Sequence, residues 1–226
     1  MEEFEQIFGI DSKDLKDTCV VMPFINSEMR KSLQIKNLNK GGLYSSVSND
    51  AFTVVLTRMG AGFTGDCICY LAEAGVKNII FIGSCAGVNP ALKIGDVVRV
   101  IEGYSVDSFS CILKRDLQKN MYVKLNTISE TTIEKTNYAV CLTTASIKHE
   151  KNIVENIQCG DIDVIDMESS AVIESANRFG LNAQIFLFIQ DIYPDKPFYR
   201  AYDAHDKLLI SDAQKRIASI IWDTIK

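Results

Sequence analysis

The stretch that decides the fold is NIIFIGSCAG, residues 78–87. Its first part, residues 78–83, is apolar at every central position, which is typical of a parallel strand covered on both faces. Another apolar, β-branched run precedes it at residues 51–56, and residues 63–74 between them repeat apolar positions at helical spacing. Strand, helix and strand in this order predict a right-handed crossover connection and an α/β fold.

Further apolar runs extend this alternation along the chain. Strands are predicted at residues 19–22, 94–101, 139–142, 164–165 and 184–190. One helix is predicted to begin at Asp166 as its N-cap and to stop at Gly180, and an amphipathic helix is predicted over residues 203–226. The polar segment 103–135 has mixed periodicity and predicts either a flap or extra strands. Because neither a repeat nor a Pro/Gly/Ser-rich linker divides the sequence, we expect a single domain, residues 1–226.

Composition excludes several classes of protein. A net charge of −5 argues against nucleic-acid binding, which needs a basic surface. The longest apolar run, Ile185–Ile189, is far shorter than the ~20 residues of a membrane span. The acidic start, Met1–Glu3, lacks the cationic region of a signal peptide, and the seven scattered cysteines fit reduced thiols, so we expect a cytoplasmic protein without membrane association. With two histidines in the chain, the pair Cys67 and Cys69 makes a poor zinc site.

Small residues follow two of the predicted strands. Gly83 to Gly87 reads GSCAG, and its low bulk lets a ligand approach the backbone and the Ser84 hydroxyl. Arg58 is followed by MGAG, residues 59–62, a glycine turn before a helix that is suited to an anion. Each stretch is equally well explained by a tight connection or by close packing of strand and helix.

Two acidic residues stand at other strand ends. Glu168 lies in the first turn of the predicted helix, where a carboxylate interacts favourably with the helix dipole. That interaction alone would explain its presence. Asp191 ends the most apolar strand, where burial would raise its pKa and suit it to proton donation. The alternative for Asp191 is a strand terminus that faces the surface.

In chain order, these motifs resemble the nucleoside phosphorylase and nucleosidase superfamily. The similar stretches are MGAG (59–62), GSCAG (83–87), GDVV (95–98), DMES (166–169) and QD (190–191). The resemblance implies an α/β fold with a twisted mixed, partly barrel-like central sheet flanked by helices. It also implies cleavage of the bond between a ribose and a base.

The resemblance assigns roles to individual residues. Asp191 would protonate or hydrogen-bond the base, which favours a purine, and Glu168 would bind the ribose hydroxyls. Met167 would pack on the sugar, and Ser84 would orient the nucleophile or the ribose. The remaining substrate-binding positions are Cys85, Ala86, Gly87 and Ile147, the last standing where an aromatic residue is usual.

The phosphate site departs from the family pattern. Phe81 stands where phosphorylases of this family carry an arginine. The candidate phosphate ligands are therefore Gly60, Arg58, Arg30 and Ser84, and Lys40 would reach a neighbouring subunit's site. Loss of that arginine is also a feature of the hydrolytic nucleosidases, for which Glu28 would be the residue that activates water.

These observations favour a phosphorylase that releases a purine base and ribose 1-phosphate. The alternatives are a phosphate-independent nucleosidase, a non-catalytic nucleoside-binding or storage protein, and a chain in which the motifs only maintain the fold. We expect a small-molecule nucleoside as partner, inorganic phosphate as co-substrate, and no metal or organic cofactor. By analogy with the family, we expect a homo-oligomer, either a dimer or a hexamer.

Overall fold

A computed structural model of the chain describes residues 2–106, 120–124, 136–156 and 162–225. Its helices are α1 (Glu2–Phe8), α2 (Ser27–Ser32), α3 (Ala61–Glu73), α4 (Glu150–Asn156), α5 (Ser169–Phe179) and α6 (Ala204–Ile225). Its strands are β1 (Thr18–Met22), β2 (Asn39–Lys40), β3 (Ser45–Ser48), β4 (Thr53–Leu56), β5 (Asn78–Gly87), β6 (Val97–Val106), β7 (Asn120–Lys124), β8 (Asn137–Thr144), β9 (Val164–Asp166) and β10 (Asn182–Ile192).

Five of these strands close into a ring. β5 pairs in parallel with β10, and β10 pairs with the antiparallel β6. β6 continues to β8 and β9 through parallel pairings, and β9 returns to β5 through the antiparallel pair Ala86 and Ile165. The ring confirms the mixed, partly barrel-like sheet expected from the sequence.

The sheet extends beyond the ring on the other side of β5. β1 lies between β5 and β4 and is parallel to both, and β3 and β2 follow β4 as antiparallel strands. The predicted strand, helix and strand unit is therefore present as β4, α3 and β5. β7 pairs with β6 outside the ring.

Alternate side chains of β5 enter two different hydrophobic clusters. Ile79 and Phe81 pack with residues of α3 and α5, whereas Ile80 and Ile82 pack with residues of α2 and α6. Burial on both faces explains why this strand is continuously apolar in sequence. The Phe81 side chain is fully buried in the first cluster, so the residue that stands at the family's arginine position contributes to the core.

Two local predictions need correction. α5 begins at Ser169, and Asp166 is the last residue of β9, because Asp166 is paired with Thr143 of β8. The GSCAG stretch is not a loop after the strand: β5 continues through Gly87, since its pairing with β10 extends to Ile192.

The segment 103–135 is described in part. Residues 103–106 complete β6 and residues 120–124 form β7, which agrees with the alternative of extra strands at these positions. The prediction for residues 107–119 and 125–135 lies outside the described residues, as do Cys111 and Cys159. None of the helices in the described ranges has the length and apolar character needed to cross a bilayer.

Candidate active site

A cavity of about 230 Å³ opens where the carboxyl ends of four ring strands meet, and we call it the ring cavity. Its walls come from the ends of β5, β8, β9 and β10, from residues that follow these strands, and from the loops after β1 and β4. The lining residues are Pro23, Phe24, Met59, Ser84, Cys85, Ala86, Thr144, Ile147, Glu150, Ile165, Asp166, Met167, Glu168, Gln190, Asp191 and Phe198.

Most of the substrate-site residues predicted from the sequence meet in this cavity. They are Ser84, Cys85, Ala86, Ile147, Met167, Glu168 and Asp191. Gly87 lies outside its lining, and a Cβ there would come within 2.9 Å of Ile192 Cδ1. Gly87 therefore fits the alternative explanation of close packing, because it lets β10 approach β5 at the end of the ring.

Glu168 is held by the glycine turn that precedes α3. Its Oε1 accepts a hydrogen bond from the Gly60 N–H at 2.6 Å, and the residue is only 4% exposed. Burial raises the pKa of Glu168 to about 8, with a further contribution from the negative charge of Asp166, although the Gly60 bond acts in the opposite direction. Glu168 therefore ionises readily only when further hydrogen-bond donors, such as sugar hydroxyls, approach its carboxyl group.

Asp166 organises the start of α5 from the end of β9. Its Oδ2 accepts hydrogen bonds from the Ser169 N–H at 2.8 Å and the Ser169 hydroxyl at 2.5 Å, and its Oδ1 accepts one from Thr143 Oγ1 at 2.7 Å. Burial raises the pKa of Asp166, and these hydrogen bonds partly offset that effect. Because its oxygens are engaged, Asp166 positions the segment that carries Met167 and Glu168.

A β-bulge aims Asp191 into the ring cavity. Along β10, Ile189 pairs with Cys85 and Asp191 pairs with Ala86, so Gln190 is the extra residue. A bulge shifts the alternation of side chains by one position, and here it lets consecutive residues, Gln190 and Asp191, both line the cavity. Burial raises the pKa of Asp191 to about 7, and the negative charge of Glu150 adds to the increase. Asp191 is thus suited to hold a proton near neutral pH.

The two carboxyl groups expected to act on substrate have different neighbours. Glu168 contacts Gly60 and is influenced by Asp166, whereas Asp191 is influenced by Glu150. In the ring cavity, Glu168 therefore lies beside the glycine turn, and Asp191 lies near Glu150 at the start of α4.

Several lining residues were missed in the sequence. Glu150 and Phe198 stand in polar segments with ordinary composition, and Phe24 and Met59 look like isolated apolar residues beside turns. Phe198 is 44% exposed and Met59 is 53% exposed, so both form part of the rim. For Phe24 and Met59, the available sequence signal was a large apolar side chain shortly after a predicted strand.

Of the predicted phosphate ligands, Ser84 lines the ring cavity, whereas the charged candidates do not. Arg58, in a left-handed conformation with φ of 72°, lies over the Phe63 ring at 5.8 Å. It lines a neighbouring outer depression of about 460 Å³ together with Lys40, and the two hollows share Pro23 and Phe24 as a wall.

The two remaining charged candidates lie on α2. The Arg30 guanidinium donates to the Lys36 carbonyl at 3.3 Å, and Glu28 forms an ion pair with Lys215 at 3.8 Å. Neither residue lines the ring cavity or the outer depression. The structure therefore brings Arg58 and Lys40 near the site but leaves Arg30 and Glu28 apart from it.

Comparison with known proteins shows which family the chain resembles. A family model described as "Phosphorylase superfamily" matches residues 40–226. A search of curated proteins returns no match.

Solved structures share the fold at low sequence identity. The 5'-methylthioadenosine/S-adenosyl homocysteine nucleosidase of Campylobacter jejuni has a TM-score of 0.67 at 15% identity, with 92% of this chain and 96% of that chain covered. A uridine phosphorylase from Vibrio fischeri has a TM-score of 0.68 at 15% identity, covering 93% and 91%. A futalosine hydrolase mutant from Helicobacter pylori has a TM-score of 0.63 at 13% identity, covering 90% and 97%.

Proposed function

Because the chain belongs to the phosphorylase superfamily, whose members cleave glycosidic bonds, we propose that it cleaves the N-glycosidic bond of a purine nucleoside. The observation that supports this most directly is the presence of Glu168 and Asp191 in one cavity, each beside a different set of neighbours. Cleavage places positive charge on the sugar and negative charge on the departing base. One carboxyl group can stabilise the positive charge on the sugar, and the other can donate a proton to the departing base.

The base is activated at Asp191. A carboxyl group with a pKa of about 7 is half protonated at neutral pH and donates its proton to an imidazole nitrogen of the leaving base. Transfer of that proton lets the base depart as a neutral molecule. An acid at this position favours a purine, since the imidazole ring supplies the accepting nitrogen.

The sugar is held at Glu168. Ribose hydroxyls that donate to its free oxygen lower the pKa of Glu168 from about 8, so substrate binding favours the ionised form. The resulting negative charge stabilises the positive charge that develops on the ribose ring. Met167 packs beside the sugar, and Ser84, near the carboxyl end of β5, orients the nucleophile or the ribose.

We propose inorganic phosphate as the nucleophile. Arg58 and Lys40 line the outer depression, which adjoins the ring cavity at Pro23 and Phe24, and a phosphate held by two cations there lies next to the sugar end. The products are then a free base and ribose 1-phosphate. Neither a metal nor an organic cofactor is part of this proposal.

Hydrolysis is the second candidate, and one specific observation favours it. Among the described residues that line the ring cavity, none is a lysine or an arginine. A divalent phosphate inside the cavity would therefore lack charge-assisted hydrogen bonds worth roughly 1.5 to 3 kcal/mol each. Water is a neutral nucleophile, so it needs no lysine or arginine beside it in the cavity.

The test is base release from inosine, guanosine and adenosine, with and without phosphate, followed by chromatography. Phosphorolysis requires phosphate and yields ribose 1-phosphate, whereas hydrolysis ignores phosphate and yields ribose. Binding of nucleosides without release of base would instead support the binding or storage protein. No binding and no turnover with any nucleoside would contradict the proposal.

Assembly and location complete the proposal. Exposed apolar side chains gather beside the ring cavity and the outer depression, namely Phe24, Leu43, Met59 and Phe63. Apolar surface of this kind is typical of protein interfaces, which supports a homo-oligomer with Lys40 near a subunit contact. We also propose that the protein acts in the cytoplasm, on the basis of its composition alone.

A further inference from the structure

We propose that Lys196 is a positioning residue for Asp191, because its ion pair with Asp206 fixes the segment that follows β10 beside the ring cavity. We call this segment, residues 193–203, the rim segment. The inference rests on the proposed function, in which Asp191 is the proton donor. Neither the sequence motifs nor the resemblance assigns a role to Lys196 or Asp206.

Lys196 attaches the rim segment to the fold at two points. Its backbone N–H donates to the Ile192 carbonyl at 2.7 Å, and its carbonyl accepts from the Ile192 N–H at 2.9 Å. Its Nζ donates to both carboxylate oxygens of Asp206, at 2.6 and 2.7 Å. Ile192 is the last residue of β10, and Asp206 lies in the first turn of α6. One residue therefore joins the rim segment to a ring strand and to a helix.

The carboxylate that Lys196 binds is itself held in place. The Asp206 side chain is 4% exposed, and its Oδ2 also accepts from the Asp203 N–H at 3.2 Å. In return, the Asp206 N–H donates to Asp203 Oδ1 at 2.8 Å, a reciprocal arrangement typical of a helix start. The hydrogen bond to Asp206 raises the pKa of Lys196, which favours its charged form. Asp206 is therefore a fixed anchor for a cation.

Apolar burial contributes little to holding the rim segment. Pro197 is buried, but Phe198 is 44% exposed and Tyr199 is 76% exposed. Arg200 donates to the carbonyls of Pro197 and Asp195, at 2.9 and 2.6 Å. These bonds lie within the segment, so they fix its shape but not its placement. Placement therefore depends on the contacts of Lys196.

The rim segment adjoins Asp191. Phe198, two residues after Lys196, lines the ring cavity together with Asp191. Because Ile192 and Lys196 form an antiparallel pair, the next positions outward, 191 and 197, also lie near each other. Burial raises the pKa of Asp191, and the Phe198 N–H opposes this increase by a hydrogen bond. The rim segment is thus a wall beside Asp191 and supplies a donor to it.

The charged groups around Asp191 come from several elements. Glu150 of α4 raises the pKa of Asp191, and the charge of Asp191 adds to the effect of burial on Cys85 of β5 and on Tyr202 of the rim segment. Among the described residues, the charge that shifts the pKa of Asp191 is that of Glu150. Lys196 therefore acts on Asp191 through the placement of the rim segment.

The experiment measures the pKa of Asp191 by NMR of its isotope-labelled carboxyl carbon, identified by comparison with Asp191→Asn. It compares the wild type with Lys196→Met and Asp206→Asn, which change the net charge in opposite directions. If the ion pair positions the rim segment, loss of either partner lets water reach Asp191, and its pKa falls from about 7 to about 6 in both variants. A direct effect of charge would instead raise this pKa in Lys196→Met and lower it in Asp206→Asn.

Turnover gives a second readout. At saturating nucleoside and above about pH 7, kcat should be about tenfold lower in both variants, because less Asp191 is protonated. Lys196→Arg, which also donates to both oxygens of a carboxylate, should keep kcat within about threefold of the wild type. The matched control is Lys77→Met, which removes a 2.7 Å ion pair with Asp17 between exposed residues that precede β5 and β1. It should change neither kcat nor the pKa of Asp191.

The outcomes separate this inference from the proposed function. A lowered pKa of Asp191 in both variants, without cleavage of any nucleoside, supports the inference while the proposed function fails. Opposite shifts in the two variants, or an unchanged pKa in folded Lys196→Met, overturn the inference even when nucleosides are cleaved. If Asp206→Asn does not fold, Lys196→Met decides by itself, because positioning lowers the pKa and a direct effect of charge raises it.

Discussion

The Gly60 N–H and the Glu168 carboxylate are joined by a 2.6 Å hydrogen bond that spans 108 positions of the sequence. The bond links the turn before α3 to the residue before α5, and these two helices pack against each other. Gly60 has φ of 113° and ψ of 143°, a conformation that L-residues with side chains rarely adopt. The placement of Glu168 in the ring cavity therefore depends on a glycine at residue 60.

The first prediction is that Gly60→Ala destabilises the fold and weakens substrate binding. A Cβ at this position meets nothing within 4 Å, so the cost comes from backbone strain of about 1–3 kcal/mol. Relaxation of the strain would move the N–H away from Glu168 and raise KM for the nucleoside. Urea denaturation and steady-state kinetics measure the two effects.

The control for this prediction is Gly62→Ala. Gly62 lies two residues later inside α3, also with free space around its Cβ position but without a positive φ. Helix propensity predicts that alanine stabilises this position by about 0.5–1 kcal/mol. Equal effects of the two substitutions would show that backbone conformation at Gly60 is unimportant.

The second prediction concerns the charge of Glu168. Glu168→Gln keeps an oxygen that accepts from Gly60 but never becomes negative, so we expect kcat to fall by about 10²–10³-fold as for other lost electrostatic contacts. The variant should still bind the free base, because the base contacts the other end of the cavity. A wild-type kcat in Glu168→Gln would remove this residue from the mechanism.

The third prediction is a pH dependence governed by Asp191. With a pKa of about 7, the proton needed by the leaving base is lost as pH rises, so kcat at saturating nucleoside, where the bound ribose keeps Glu168 ionised, should decline about tenfold per pH unit above that value. Asp191→Asn should lower the rate about 10²–10⁴-fold and abolish this limb. A flat wild-type profile between pH 7 and about 9 would contradict proton donation by this group.

The fourth prediction concerns how pH changes the free energy of unfolding of the wild type and of Asp191→Asn. Folding raises the pKa of Asp191 from 3.8 to about 7, so the folded state holds the proton more tightly than the unfolded state. The resulting stabilisation is complete below pH 3.8 and is lost as pH rises through about 7, in total up to about 4 kcal/mol. Relative to wild type, Asp191→Asn should therefore gain stability between pH 4 and 8, as measured by urea denaturation. A constant difference across this range would show that burial does not penalise the carboxylate.

The fifth prediction distinguishes the candidate phosphate ligands. Arg58→Gln should raise KM for phosphate about tenfold, which corresponds to the loss of one charge-assisted hydrogen bond. Arg30→Gln should leave it unchanged, because the Arg30 guanidinium is directed to the Lys36 carbonyl. The reverse outcome would place phosphate near α2.

Elements that depend on local pattern were predictable from the sequence. The apolar run of β5, the helical spacing in α3 and the Gly180 stop of α5 are each determined by nearby residues, and the structure contains all three. The shared cavity of Glu168 and Asp191 followed from motif order, because strand ends of one α/β unit meet at the same edge.

Features that depend on distant partners were not predictable. The bulge at Gln190 exists because β10 pairs with β5, and nothing in residues 182–192 alone marks it. The sequence predicts Asp166 as a helix cap, because its pairing with Thr143 on another strand has no local signal. Glu150 gives no sequence signal for the same reason, since most other residues that line the cavity with it, on β5 and β10, are distant in sequence.

Closure of the ring has a consequence for protein synthesis. The cavity walls begin at Pro23 and end at Phe198, and the strand that closes the ring, β10, leaves the ribosome after the other four ring strands. Nascent chains that stop before residue 182 would lack Asp191 and an edge partner for β5 and β6. A ligand of the ring cavity is therefore expected to protect chains that contain β10 from proteolysis, but not chains that stop before it.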